Sequence, residues 1–180
     1  MVPVEYIWLT LWAVFGIVGM VRGLAKELGV TTILLLALFA LYVGWTQVGT
    51  QIVSTVQGQA SAARESTVMA VYYSVSIAFI AFISYEGVVL RFPMKEMRGL
   101  GKGVFGVVGG LLNGYLIVGT VWDAVARANY FLPDVSVVSG YPSQLHSTIV
   151  QYLPLAVMDR TSPIIFLVAG MILLLALVFK

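Results

Sequence analysis

Arg22-Gly23-Leu24-Ala25-Lys26-Glu27 is a short charged bracket between two apolar runs. Residues 6–21 before it and 28–63 after it contain no Asp, Glu, Lys or Arg. Charges in that setting read as the turn of a transmembrane hairpin, since either flank can cross a ~30 Å hydrocarbon core as a helix while the charges stay at its edge. The first run is short, about 24 Å at ~1.5 Å per residue. Glu5, Tyr6, Trp8 and Arg22 are therefore expected at or near the two interfaces, with snorkelling and local thinning taking up the mismatch.

The rest of the chain repeats this pattern. Residues 66–85, 103–122 and 161–179 are also free of charge, and the whole sequence is 60% hydrophobic and 10% charged, with a mean hydropathy of +0.98. A soluble fold of this length needs more polar surface to cover its core. A β-barrel would alternate apolar and polar residues, which 33–41 does not. The expectation is an all-α polytopic transmembrane bundle forming one integral domain over 1–180. Its five spans are placed at about 6–21, 28–48, 67–90, 103–126 and 163–179.

The stretch 49–65, rich in Gln, Ser, Thr and Ala, is expected as a partly helical outer loop. Pro93 and the charges of 91–98 should end the third span. Residues 127–162, with Pro133, Pro142 and Pro154, are too irregular to cross lipid and read as an extramembrane insertion. Within it, Ser143 could cap an amphipathic helix near 143–157 whose Leu145, Ile149, Leu153 and Val157 recur every four residues. That helix would lie on the outer membrane face or against the bundle.

Charge sets the orientation. Arg22, Lys26, Arg91, Lys95, Arg98, Lys102 and Lys180 fall at one end of a five-span arrangement, against Arg64, Arg127 and Arg160 at the other. The positive-inside rule then places the N-terminus outside and Arg22, Lys26 and Glu27 as a cytoplasmic bracket. With no Lys or Arg before the first span, a cleaved signal peptide is not expected. The net charge of +2 gives no reason to expect nucleic acid, and the lack of Cys removes disulfides and thiolate metal sites.

Glycine placement is the strongest packing signal. Gly103, Gly106, Gly110 and Gly114 share one face of the fourth span, and Gly16, Gly19 and Gly23 share one face of the first. Such faces let backbones approach closely, which drives association in lipid, either within the bundle or with a second copy or a partner protein. The formal GxGxxG at 101–106 is not a dinucleotide site, because no strand precedes it.

Glu86 and Asp123 are candidate intramembrane acids near span ends, the latter with Arg127 at i+4. They suit interfacial or ion-paired structural roles, or a proton or ion path. Asn113, the lone mid-span amide, reads as interhelical glue. His146 is the only histidine, so no multi-histidine metal or haem site is expected. It is an interfacial side chain or a ligand to a group held elsewhere. No nucleophile-elbow, HExxH or Walker motif occurs, so neither an enzyme nor a resident cofactor is expected.

Gly19, Val21-Arg22-Gly23 and Lys26-Glu27, followed by a long apolar run, resemble the N-terminal hairpin of the colicin V production protein family. Gly106, Gly110 and Gly114, entered from a basic loop, look like that family's second signature, and Ser143-Gln144-Leu145 is similar to its C-terminal region. The likeness covers about residues 4–126. Lys102-Gly103 stands where the family usually has an aspartate-arginine pair, and 163–180 adds a fifth span that many members lack. The resemblance implies a multi-pass protein of the bacterial inner membrane, linked to peptide-toxin export and envelope physiology. Function is expected to be that of an accessory or scaffold subunit contacting lipid and other membrane subunits or a second copy. The rivals are a cofactor-free subunit of a respiratory or photosynthetic complex and a small oligomeric channel or transporter.

Overall fold

A computed structural model of the chain describes residues 4–57, 62–87, 90, 92, 100–131 and 144–179. Every regular element among them is helical, as expected. The helices are α1 (Val4–Arg22), α2 (Leu24–Gly44), α3 (Thr50–Gln57), α4 (Ala62–Glu86), α5 (Leu100–Arg127), α6 (Gln144–Val150), α7 (Pro154–Arg160) and α8 (Ile164–Val178). A π-helical turn, Trp45–Gly49, joins α2 to α3, so much of the expected outer loop is helical. The expected cap Ser143, and 91–98 apart from Phe92, lie outside the described residues.

Four helices are long and apolar enough to cross a membrane, in the stretches Glu5–Arg22, Leu24–Gly49, Glu65–Glu86 and Gly101–Arg127. A fifth crossing exists if α7 and α8, bent by 113° at their junction, count as one span. Alone, the 15 residues of α8 reach about 22 Å at ~1.5 Å per residue, short of the ~30 Å core.

α5 is the hub. It packs along α1, α4 and α2 and also meets α7, whereas α8 packs on α2. The α1–α2 pair is therefore not a closed hairpin. Its arms share the turn at Gly23, and both lean on α5. Gly23 has φ 84°, a left-handed value that residues with a Cβ rarely adopt, which explains glycine at this turn.

Three sequence expectations need correction. The third span was expected over 67–90, but α4 ends at Glu86, whose residue is exposed, so this acid sits at the helix end and not a turn inside it. The single amphipathic helix over 143–157 is two short helices. Pro154 lacks an N–H and pushes Leu153 to an extended φ of −72° and ψ of 157°, which breaks the run and restarts it as α7. In α6 the buried residue is His146, while Leu145 is 48% exposed.

Candidate functional site

The glycine faces of the first and fourth spans pack against each other. A Cβ on Gly19 would lie 2.6 Å from the Gly110 Cα and closer still to the Gly106 carbonyl oxygen, and one on Gly110 would run into the Phe15 carbonyl. Gly114 admits Trp12 and Phe15 in the same way, and Gly16 receives the Leu111 side chain. Trp12 Nε1 also donates to the Leu111 carbonyl at 2.6 Å. Gly103 is outside this seam, since its nearest neighbour would be Met20 Cγ at an ordinary 3.6 Å. The expected glycine face thus finds its partner inside the chain, over Gly16, Gly19, Gly106, Gly110 and Gly114.

That close approach brings α5 against the start of α2, and there the charged bracket changes character. Glu27 is not a water-facing bracket residue, since it is fully buried. Arg22 Nε pairs with its Oε1 at 2.9 Å, while Tyr85 Oη–H and Asn113 Nδ2–H donate to Oε2 at 2.9 and 2.8 Å. Asn113 Nδ2 also donates to the Glu27 carbonyl at 3.0 Å, and Thr31 Oγ1–H is shared between that carbonyl at 2.9 Å and Asn113 Oδ1 at 2.7 Å. Gly109 makes room, since a Cβ there would sit 2.8 Å from the Glu27 Cβ.

Arg22 completes the cluster. Its Nη1 donates to the Tyr85 carbonyl at 2.9 Å, one of the acceptors left open at the end of α4, and its guanidinium lies 4.5 Å from the centroid of the Tyr85 ring. The buried Phe92 donates its N–H to the Ala25 carbonyl beside the α1–α2 turn. Glu27 in the first turn of α2 and Arg22 in the last turn of α1 each suit the sign of the local helix dipole. One buried acid therefore ties α1, α2, α4 and α5 together at the basic end. Lys26 is half-exposed, and its N–H donates to the Gly23 carbonyl at the turn.

Sequence reasoning placed Arg22 and Glu27 at the turn and Asn113 as glue, but missed Thr31, Tyr85 and Gly109 and the link between them. The signal was present in spacing. Glu27 and Thr31, and Gly109 and Asn113, are i,i+4 pairs, so each helix carries two of these positions on one face.

A second polar cluster closes the opposite end. Asp123, nearly fully buried, pairs with Arg127 Nε at 2.8 Å as the spacing predicts, and it also accepts the Ala156 N–H at 2.7 Å in the first turn of α7. Arg127 Nη2 continues to Asp159 at 2.7 Å, and Tyr42 Oη–H donates to Asp159 at 2.8 Å. Asp123 thus anchors α7 onto α5 and, through Arg127 and Asp159, onto α2.

Beside it, His146 is buried against Trp122 and Tyr130. Trp122 Nε1 donates to Tyr130 Oη at 3.0 Å, and that oxygen lies 3.4 Å from His146 Nδ1. Burial holds the imidazole below its ordinary range, while the Glu5 carboxylate pulls the other way. Among the described residues, no group of three His, Cys, Asp or Glu could hold a metal ion.

Compared with known proteins, the chain matches no protein-family model, no curated protein and no solved structure.

Proposed function

We propose that this chain is a non-enzymatic accessory or scaffold subunit of a larger assembly in a bacterial inner membrane. One observation carries the reading. Glu27, Asn113, Asp123 and Arg127 each bond to another helix of the same chain, while α4 turns an apolar stripe outward. Val71, Val75, Phe79 and Phe82 recur at helical spacing and are 51–64% exposed. In lipid, satisfied polar cross-links and tight glycine packing stiffen a bundle. A stiff bundle with an uninterrupted apolar flank is built to be docked on. The likeness of the N-terminal hairpin and the fourth span to the colicin V production protein family supports the same membrane.

Photo-crosslinking amino acids at Phe79 and at Ile172 of α8, followed by mass spectrometry of assemblies extracted in mild detergent, test this. The expected result is a discrete protein adduct from at least one face. Lipid adducts alone from both faces, together with ion or solute flux through the purified chain in liposomes, would replace the scaffold with a channel or transporter. Adducts confined to respiratory or photosynthetic subunits would assign the chain to such a complex.

A further inference from the structure

Helix α6 is fastened to the bundle by an ionisable side chain. His146 is the one buried residue of Gln144–Val150. Gln144, Leu145, Ser147 and Thr148 are exposed, and Ile149 and Val150 are partly buried. The Ser147 and Thr148 hydroxyls turn back to the Gln144 carbonyl of the same helix. A short amphipathic helix normally docks through apolar side chains. Here the most buried one changes charge between pH 5 and 8.

The surroundings suit the uncharged ring. His146 packs against Trp122 and Tyr130, with ring centroids 6.0 and 5.9 Å away. Tyr130 Oη, which accepts the Trp122 indole N–H, lies 3.4 Å from His146 Nδ1. A neutral imidazole can accept the Tyr130 proton at that nitrogen, whereas both nitrogens of an imidazolium are donors. Asn129 and Tyr130 have positive φ, 49° and 59°, and a non-glycine backbone keeps such a conformation where its surroundings enforce it. The contacts of the Tyr130 side chain with Trp122 and His146 do so here. Among the described residues, Glu5 at the start of α1 and Tyr130 are the titratable groups that bear on the ring from other elements. On α5 its neighbour is Trp122, while the Asp123–Arg127 pair is engaged by α7. Helix α6 carries no other ionisable side chain. Burial outweighs the pull of the Glu5 carboxylate and holds the imidazole below its ordinary range, so a proton taken up by His146 favours the ring in water.

We propose that His146 is an acid-released clasp: protonation of its imidazole frees α6 from α5 and from the Tyr130 turn and uncovers Trp122, while the rest of the bundle stays closed. The Glu27 and Asp123 clusters draw nothing from α6, so they persist when it leaves. The clasp is independent of the scaffold role.

Hydrogen exchange of the purified full chain in nanodiscs, at pH 7.5 and 5.5 with labelling times scaled to the intrinsic exchange rate, tests this. One proton taken up a pH unit below the ordinary histidine value of ~6.5 raises the open population by at most about ten-fold. Residues 144–153 should therefore lose protection roughly three- to ten-fold in acid, while 109–117 around Asn113 hold theirs within about two-fold. His146→Gln and His146→Phe, neither of which titrates, should cut the acid effect in 144–153 to less than about two-fold. Glu5→Gln removes the opposing pull and keeps the histidine, so its acid loss should be at least as large as that of the wild type. Protection of 144–153 that ignores pH in the wild type would overturn the proposal. So would protection that rises in acid and loses that rise in Glu5→Gln, the sign of an imidazolium drawn in by the carboxylate. An acid loss shared equally by the wild type and a histidine variant, or matched at 109–117, would overturn it as well.

Discussion

Asn113 Nδ2 stands 2.8 Å from the Glu27 carboxylate and 3.0 Å from the Glu27 carbonyl oxygen, so one amide on α5 holds a residue of α2 by both its side chain and its backbone. Both residues are fully buried. Between lipid-embedded helices, with no hydrophobic drive to bring them together, such a contact decides register as well as strength.

Asn113→Leu keeps the approximate volume and removes the amide. Glu27 keeps Arg22 and Tyr85, but its carbonyl and the Thr31 hydroxyl lose a partner, at a cost of about 1–3 kcal/mol for buried polar groups left short. Thermal unfolding in detergent should show a clear fall for Asn113→Leu and little change for Leu112→Ala, whose side chain is 42% exposed. Equal falls would mean that the amide contributes no more than volume.

The glycine seam makes a sharper forecast at the level of one methyl group. Gly110→Ala drives a Cβ into the backbone of α1 at Phe15 and Gly19, neither of which can rotate away. Overpacking of this kind costs about 1–3 kcal/mol. Gly103→Ala meets nothing closer than 3.6 Å and should be neutral, or stabilising by up to about 1 kcal/mol through helix propensity. Leu111→Ala is no neutral control, because Leu111 fills the space at Gly16. Paired melting curves of the two alanine variants check the seam, and a reversed order would dissolve it.

His146 gives the pH dependence. Burial keeps its folded value below the ordinary 6.5 despite Glu5, so the unfolded chain binds more protons in the window below about 6.5. Stability attributable to this residue is therefore present above that pH and is lost as pH falls toward the folded value. Wild type should lose more melting temperature between pH 7.5 and 5.5 than His146→Gln does. The comparison cancels the carboxylates that both proteins share. An equal loss in the two would assign the acid sensitivity elsewhere.

The spans and the glycine seam were legible because they depend on composition and on i,i+4 spacing, which a single helix displays in full. The role of Glu27 was not. A carboxylate beside Arg22 and Lys26 reads as a solvated turn, and its burial comes from Gly109, Asn113 and Tyr85, which lie 58 to 86 residues away in sequence. Asp123 was legible as half of a local pair with Arg127, whereas its bond to the Ala156 N–H needed the break at Pro154 to bring a helix start over it. Helix α8 was legible as an apolar run over nearly its observed length, whereas the 113° bend that sets it against α7 was not, since it is a property of the whole 161–163 junction.

The seven-to-three division of Lys and Arg read from the sequence predicts the orientation. Exposed positions suited to labelling exist at both ends of the bundle. A single cysteine replacing Ser147 of α6 should react with an impermeant maleimide on intact cells, and one replacing Glu86 at the end of α4 should react only after the membrane is opened. The reverse pattern would invert the topology.

The last forecast concerns α8, which packs on α2 through the buried Phe166 and through Gly170, where a Cβ would come within 2.8 Å of Leu36. Ile165, Val168, Ile172 and Leu175 face outward and are 46–60% exposed. The Glu27 and Asp123 clusters draw on α1, α2, α4, α5 and α7, and neither uses α8. Ending the chain after Ser162 should therefore leave both clusters in place, lower the melting temperature by a few degrees through exposure of Leu35 and Leu36, and leave the protein inserted. The protein adduct captured from Ile172 would be lost with the helix, and any partner that copurifies through this face should fall away. A truncated chain that is degraded or misinserted would show that α8 belongs to the core, and the scaffold reading would then rest on α4 alone.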